Sequence, residues 1–308
     1  MRAVINGATG AVGMALIREL IAEGHEVLVL CRESSPRSKN IPKHSLVKKI
    51  DCPLDKMREL SLDGDAAYDI FYHFAWEGTT GEARNDMYLQ NRNVTYTLDA
   101  VALASRLGCK TFIGAGSQAE YGRVEGKLTP KTPTFPENGY GIAKLCASQM
   151  SRIMCATLGM RHIWTRILSV YGPNDTQNSM VMSTIRKLKS GEKPSFTAGE
   201  QIWDYLYSGD AAKAFIALAE KGRDGEIYCL GSGAPQKLCE YIKTIGRLTD
   251  PTAELGIGEV PYAEKQVMYL CADIEALTAD TGFVPQTSFE DGIKETLAWY
   301  DETACNKN

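Results

Sequence analysis

Residues 3–30 constrain the fold more tightly than any other stretch. Ala3-Val4-Ile5 reads as a short buried strand that runs directly into Gly7-Ala8-Thr9-Gly10-Ala11-Val12-Gly13. Apolar residues then recur at Met14, Leu16, Ile17, Leu20 and Ile21, a helical spacing, and Gly24 ends the helix before a second strand at Val27-Leu28-Val29-Leu30. Strand, glycine turn, helix and strand form a βαβ unit with parallel strands. Gly7 lets the chain turn tightly, Gly10 lets backbone approach a pyrophosphate, and Gly13 lets the helix pack close to the strand. The helix N-terminus then faces the anion. A dinucleotide is therefore expected here, held by Gly7, Thr9, Gly10, Ala11, Val12 and Gly13.

The tip of the second strand selects the cofactor. A carboxylate there would bind the adenosine ribose hydroxyls and favour NAD. The chain has Cys31-Arg32-Glu33-Ser34-Ser35 instead, with Arg37 and Lys39 nearby. Arg32 and Ser34 suit a 2′-phosphate, so NADP (NADPH) is preferred and NAD remains possible. An ordinary solvated loop would use the same residues. Asp51, with Cys52 beside it, ends a third strand at Leu46–Ile50; it could accept from an adenine amino group or simply cap a turn.

Further strands read at 70–74, 111–114 and 162–168, with a helix over roughly Asn93 to Leu107 and another from Tyr140 through Leu158. Strands alternating with helices predict an α/β fold with a doubly wound parallel sheet. Ligands of such sheets bind outside the carboxyl ends of the strands. Gly10, Cys31, Asp51, Ala75, Ser117 and Ser169 all fall at those ends. Residues 1–172 are expected to form the Rossmann domain, with 210–232 returning to its sheet; the pattern turns irregular from about Pro173. A helix is expected at Met180–Lys189 and a surface helix at Glu290–Tyr300, followed by a frayed tail from Asp301.

Bulk composition narrows the partners. With 34 Lys and Arg against 38 Asp and Glu, and no basic stripe, nucleic acid is a poor fit. No apolar run approaches the ~20 residues of a membrane helix. Met1-Arg2 leads straight into the first strand, so no leader segment is expected. The nine cysteines are scattered, and several, such as Cys146 and Cys229, fall in apolar segments. They read as reduced core thiols and indicate the cytoplasm. The four isolated histidines give no metal-ligand spacing.

Tyr140-Gly141-Ile142-Ala143-Lys144 opens a helix, so the phenol and the ammonium share one face. A cation near the phenol favours its ionised form, and Tyr140 should be a stronger acid than free tyrosine. Moving a phenol from about 10 to about 7 needs roughly 4 kcal/mol of differential stabilisation. Among 14 tyrosines, one Tyr-xxx-Lys also arises by chance.

Taken with GATGAVG at 7–13, HFAW at 73–76, Asn93-Val94, SQAEYG at 117–122, TRILSVYGP at 165–173, DYLYSGD at 204–210 and EIYCLGSG at 226–233, that pentapeptide is not isolated. Together with the stretch 272–300, these motifs make the whole chain resemble an extended short-chain dehydrogenase/reductase of the sugar-nucleotide epimerase/dehydratase group, most like the 4-ketoreductases of deoxysugar pathways. The resemblance implies that Ser117 hydrogen-bonds the reacting sugar oxygen, Tyr140 exchanges a proton with it, and Lys144 holds the nicotinamide ribose. It further implies that Phe74, Ala75, Trp76, Asn93, Leu168 and Val170 contact the cofactor. Trp76, Ser117, Gln118, Ser169 and Trp203 would contact the substrate, a nucleotide-diphosphate sugar. That residues 173–308 form a smaller substrate-binding lobe is likewise implied by the resemblance. A homodimer through the two helices at 93–107 and 140–158 is also implied, to which Met150, Ile153, Met154 and Leu158 are suited; they would equally suit packing within one subunit.

Departures from the family pattern narrow the chemistry. The 4,6-dehydratases place an Asp-Glu pair directly after their serine or threonine; here Gln118 and Ala119 stand there, and dehydration is not expected. Ala119 also replaces the cysteine of the 3,5-epimerising type. Ser117, Tyr140 and Lys144 suffice for NADPH-dependent reduction of a 4-keto-6-deoxy sugar at C4, or for 4-epimerisation with retained NAD. A non-catalytic NADP sensor on the same fold would be expected to lose Tyr140 or Lys144. Trp203 replaces the usual arginine before Asp204-Tyr205, leaving Arg186 and Lys265 as candidate diphosphate contacts, although solvated surface charges account for both.

Overall fold

In the first strand, β1 (Arg2–Asn6), successive side chains enter different layers: Ala3 and Ile5 join one core, Val4 another. The same alternation continues in β2 (Glu26–Cys31), with Val27 and Val29 on one side and Leu28 and Leu30 on the other. A strand buried on both faces needs helices on both faces, which is the condition for a parallel sheet. The helix α1 (Ala11–Ala22) supplies Met14, Leu16, Ile17 and Leu20 to the first core. The computed structural model describes residues 1–62 and 67–305.

The sheet is completed by β3 (Val47–Asp51), β4 (Ile70–His73), β5 (Thr111–Ser117), β6 (Arg161–Ile167) and later β11 (Ile227–Leu230). The seven strands run in the order β11-β6-β5-β4-β1-β2-β3, and every pairing is parallel. Because β1 lies between β2 and β4, the chain winds away from it in both directions, leaving a crevice at its carboxyl end. On one face of the sheet lie α2 (Met87–Arg106) and α3 (Gly139–Thr157), whose Ala100, Val101 and Cys155 meet Phe71 and Phe112.

α2 starts before the apolar period suggests. Asp86 caps it, accepting from Leu89 N at 3.0 Å, and the first two turns bury Gln90 and Asn93, polar residues that hide the pattern.

Beyond the sixth strand come β7 (Ser169–Tyr171), α4 (Met180–Lys189), β8 (Ser195–Phe196), β9 (Ile202–Trp203) and β10 (Tyr205–Tyr207). The helix α5 (Ser208–Lys221) then returns to α1, and Ala211, Ala212 and Phe215 join the first core. After β11 follow β12 (Gln236–Lys237), α6 (Leu238–Thr249), β13 (Gly256–Ile257), α7 (Glu275–Thr281) and α8 (Phe289–Cys305). The short strands pair as β10 with β7, β12 with β9 and β13 with β8, ladders too short to leave a period in the sequence. Asp204, with no exposed surface, accepts from Ser232 N and Oγ, Gly233 N and Ala272 N, and so binds three distant segments together.

Two expectations need correction. Residues 301–305 do not fray: α8 continues through them, with Lys189 paired to Asp301 at 2.9 Å. The rest of the expected frayed tail, 306–308, lies outside the described residues. Cys146 is exposed on the outer side of α3, whereas Cys229 is buried beside the Tyr121 hydroxyl at 3.1 Å. Among the described residues, no helix is long and apolar enough to cross a membrane.

Candidate active site

The glycine turn is shaped by what surrounds it. Gly7 has φ +70°, and a Cβ there would lie 2.3 Å from Ala75 N; a Cβ on Gly13 would lie 2.6 Å from Ala8 Cα. Neither position admits a side chain. A Cβ on Gly10 would meet nothing within 4 Å. Gly10 is also the N-cap of α1, with no side chain closing the helix end. Open space before free N–H groups is what a pyrophosphate requires, so the chain's own geometry fits a dinucleotide.

Asn6 completes this corner, although no motif points to it. Its Oδ1 accepts from Phe74 N at 3.0 Å and Ala75 N at 3.2 Å, and its Nδ2 meets His73 Nδ1 at 2.9 Å. His73 Nε2 in turn meets Thr97 Oγ1 at 3.1 Å. Burial depresses the His73 pKa to about 3, with the Lys144 charge adding to the fall, so the ring is a neutral structural link.

A cavity of about 290 Å³ opens between this turn and the ends of β4, β5 and β6. It brings together Gly7, Gly10, Ala11, Val12, Gly13, Phe74, Trp76, Ser117, Tyr140, Lys144, Leu168 and Val170. Thr79, Ala115, Gly116, Ile167 and Asp175 also line it; of these, Ile167 alone falls within one of the motifs. Arg32 and Ser34 are exposed beyond the tip of β2. Cys31 is in register with Asp51, whose carboxylate accepts from Glu33 N at 2.7 Å. Asp51 thus caps the turn that carries Arg32. Cys52 is buried, and desolvation pushes its thiol up to about 11. Thr9, Ala75 and Gln118 stand at the correct strand ends without lining the cavity. Asn93 does not: it is 1% exposed, and its amide is spent on the backbone of Glu77, both N–H and carbonyl at 2.9 Å. It shapes the chain beside the cofactor turn rather than offering a free group to a ligand.

Ser117 ends β5 and caps the short turn that follows. Its hydroxyl accepts from Ala119 N at 3.2 Å, and its own N–H donates to Glu120 Oε1 at 2.9 Å. Glu120 is fully buried and also accepts from Arg166 Nε at 2.8 Å and Trp164 Nε1 at 3.0 Å. The serine is therefore fixed to β6 through this carboxylate. Tyr140 is the second residue of α3, which Asn138 caps through Gly141 N at 2.8 Å. Gly141 abuts Ala119, whose carbonyl oxygen would lie 2.2 Å from a Cβ there. That close approach sets the tyrosine beside the serine.

One turn along α3, the Lys144 ammonium donates to Ala115 O at 2.5 Å and lies 3.8 Å from the centre of the Trp76 ring. Burial lowers its pKa to about 7. Tyr140 corrects an expectation. Burial raises its pKa, Glu120 adds to the rise, and the Ser117 hydrogen bond and the Arg84 charge only partly oppose it. Within the chain, desolvation of the phenolate outweighs the nearby positive charge.

Trp76 leaves its indole N–H to Gln90 Oε1 at 2.8 Å and meets Tyr140 edge-on at 6.0 Å. Trp203 Nε1 donates to Ser169 Oγ at 2.9 Å, so these two expected substrate contacts touch each other beside Leu168. Arg186 and Lys265 are both exposed. Among the described residues, no group of His, Cys, Asp and Glu side chains is placed to hold a metal ion.

Comparison with known proteins agrees with this architecture. The profile of the NAD dependent epimerase/dehydratase family matches residues 3–231. A dTDP-glucose 4,6-dehydratase of Xanthomonas campestris pv. campestris is 27% identical over 202 residues, covering 61% of this chain but only 57% of that relative. The chain thus aligns with little more than half of that protein. A dTDP-glucose 4,6-dehydratase of Haemophilus influenzae is 24% identical over 97% of this chain and 98% of its own. Among solved structures, a UDP-N-acetylglucosamine 4-epimerase from Methanobrevibacter ruminantium M1, in complex with UDP-N-acetylmuramic acid, superposes with a TM-score of 0.87 at 21% identity, covering 98% of both chains. That likeness concerns the fold.

Proposed function

We propose, on the premise that the chain belongs to the NAD dependent epimerase/dehydratase family, that it reduces a nucleotide-linked 4-keto-6-deoxy sugar at C4 with NADPH. One observation carries this reading: Ser117, Tyr140 and Lys144 converge on one cavity, while the two positions after the serine hold Gln118 and Ala119. Neither can take or give the protons that elimination of water demands. The dinucleotide, when bound, supplies hydride chemistry. The chain's residues do the rest. The Ser117 hydroxyl orients the ketone oxygen, Tyr140 gives it a proton as negative charge develops, and Lys144 binds ribose hydroxyls. Trp76 and the rim around Ser169 and Trp203 exclude water and face the sugar.

Arg32 and Ser34, exposed at the tip of β2, support NADPH over NAD. Arg32→Asp should lower the preference for NADPH by about 10- to 100-fold, the effect of one charge-assisted hydrogen bond of about 1.5–3 kcal/mol. Exposed Ile142, Cys146, Met150 and Ile153 line the outer side of α3, and exposed Met87 and Tyr88 open α2. This face supports a homodimer, and Ile153→Glu should shift it to monomer in sedimentation.

The test is loss of NADPH absorbance with a dTDP-linked 4-keto-6-deoxy sugar. The second reading, 4-epimerisation with NAD, needs the same three residues and accords with the cofactor in the family's description. Interconversion of ordinary UDP-sugars without net NADPH consumption would replace the first reading by the second. A non-catalytic sensor would be indifferent to Tyr140→Phe.

A further inference from the structure

Arg84 belongs to none of the motifs above, yet its guanidinium carbon stands 4.4 Å from the centre of the Tyr140 ring. The short helical turn that carries it, Gly81–Asn85, is fastened on several sides. Gln90 Nε2 donates to Gly78 O at 2.9 Å and to Ala83 O at 2.8 Å. Arg84 Nη1 donates to Thr79 O at 3.2 Å. Asn85 Oδ1 accepts at 3.0 Å from Gly139 N, the first residue of α3. Gly139 also packs closely on the turn: a Cβ there would lie 3.0 Å from Arg84 O and 2.8 Å from Met87 Sδ. The turn is thus docked against the helix start that presents Tyr140, and the cation is held over the phenol.

The other charged and polar groups facing Tyr140 are few. Lys144, on the same helix, has its ammonium 5.8 Å from the ring centre and committed to Ala115 O and the Trp76 face. Glu120, from the turn after β5, is paired with Arg166 at 2.8 Å. Ser117 contributes a hydroxyl, and His73, linked to Asn6 and Thr97, carries no charge at neutral pH. Arg84 is therefore the cation applied directly to the ring. A cation on an aromatic face is attracted by the ring quadrupole, and more strongly once the ring carries charge.

We propose that Arg84 is a positioning residue that sets the acidity of Tyr140 from the face of its ring. The inference rests on the reading of Tyr140 as the proton donor, but its test does not require turnover. The phenolate of Tyr140 is isolated as the ultraviolet titration difference between the full-length protein and its Tyr140→Phe variant. The same difference is then taken in an Arg84→Gln background and an Arg84→Lys background. Arg84→Gln should move the midpoint to higher pH by roughly one unit. Arg84→Lys, which keeps the charge but loses the planar stack, should move it by less. In ketone reduction the alkaline limb of kcat should move in the same direction, since a weaker acid stays protonated to higher pH. A merely structural role would lower stability and leave the midpoint in place. An unmoved midpoint in whichever variants fold overturns the proposal. A moved midpoint with no NADPH turnover would instead remove the reductase reading and leave Arg84's role standing.

Discussion

The ammonium of Lys144 rests 3.8 Å from the centre of the Trp76 ring, and the indole edge is anchored by Gln90 at 2.8 Å. Trp76 thus serves as a platform under the lysine. Its attraction for a desolvated cation is about 2 kcal/mol. Trp76→Leu, which removes the face, should reduce kcat by about tenfold or more. Trp76→Phe keeps a face and loses only the Gln90 bond, so it should be milder. Steady-state kinetics of the two variants check this; equal losses would show that the hydrogen bond, not the ring face, matters.

The buried lysine also predicts a pH dependence of stability. Its pKa falls from 10.5 to about 7 in the folded protein because burial penalises the charge. Between those values the unfolded chain binds more protons than the folded one, so this group's contribution to stability rises with pH across that window. Below about 7 both states are protonated and the native state carries the full penalty. Lys144→Met should therefore be more stable than wild type near pH 7, by a few kcal/mol, and the difference should shrink towards pH 10. Urea unfolding at both pH values measures it; a constant difference would contradict it.

His73 and His162 act at the acid end. Burial lowers them from 6.5 to about 3 and about 4 respectively. Their folded-state pKa values are depressed, so stability is full above pH 6.5 and is lost as pH falls through that value towards 3–4. The hydrogen bonds of His73 are those of a neutral ring. Asn6 must use Nδ2 to donate to His73 Nδ1, because its Oδ1 already serves two N–H groups. A protonated ring could not accept there. His73→Gln should flatten the acid limb of a stability-against-pH curve.

Breaking the Glu120–Arg166 pair should be costly. Both side chains are buried, and Glu120→Ala would leave the guanidinium without its carboxylate and Ser117 N without an acceptor. The expected loss is about 3–5 kcal/mol. It should appear in denaturant unfolding, with kcat reduced in protein that still folds.

How much of this could be read beforehand depended on the range of the interactions. The glycine turn, the strand ends and the Tyr140–Lys144 spacing are local, and local geometry leaves a mark in sequence. Asn6, Gln90 and Arg84 leave none, because their partners are separate in the chain and each looks like an ordinary polar residue. Asn93 sits at a recognisable motif position, but its amide closes on Glu77. For Tyr140 the charge was visible and the burial was not, which reversed the direction of its acidity. Cys146 belongs to an apolar set on α3, and apolar character alone does not distinguish a face turned to the core from one turned outward.

Asp204 has a consequence in time as well as in space. Its carboxylate closes on Ser232, Gly233 and Ala272, and one of the sheet's two edge strands, β11, pairs with β6 only through residues 227–230. During synthesis the cofactor turn, Ser117 and the Tyr140 helix emerge well before either partner exists. The amino-terminal strands must wait with β6 as an open edge, since contacts of long sequence separation form late. A ribosome pausing just short of residue 227 would thus hold a chain with its chemistry encoded and its sheet unfinished. A truncation at that point should therefore aggregate through the open edge rather than work slowly.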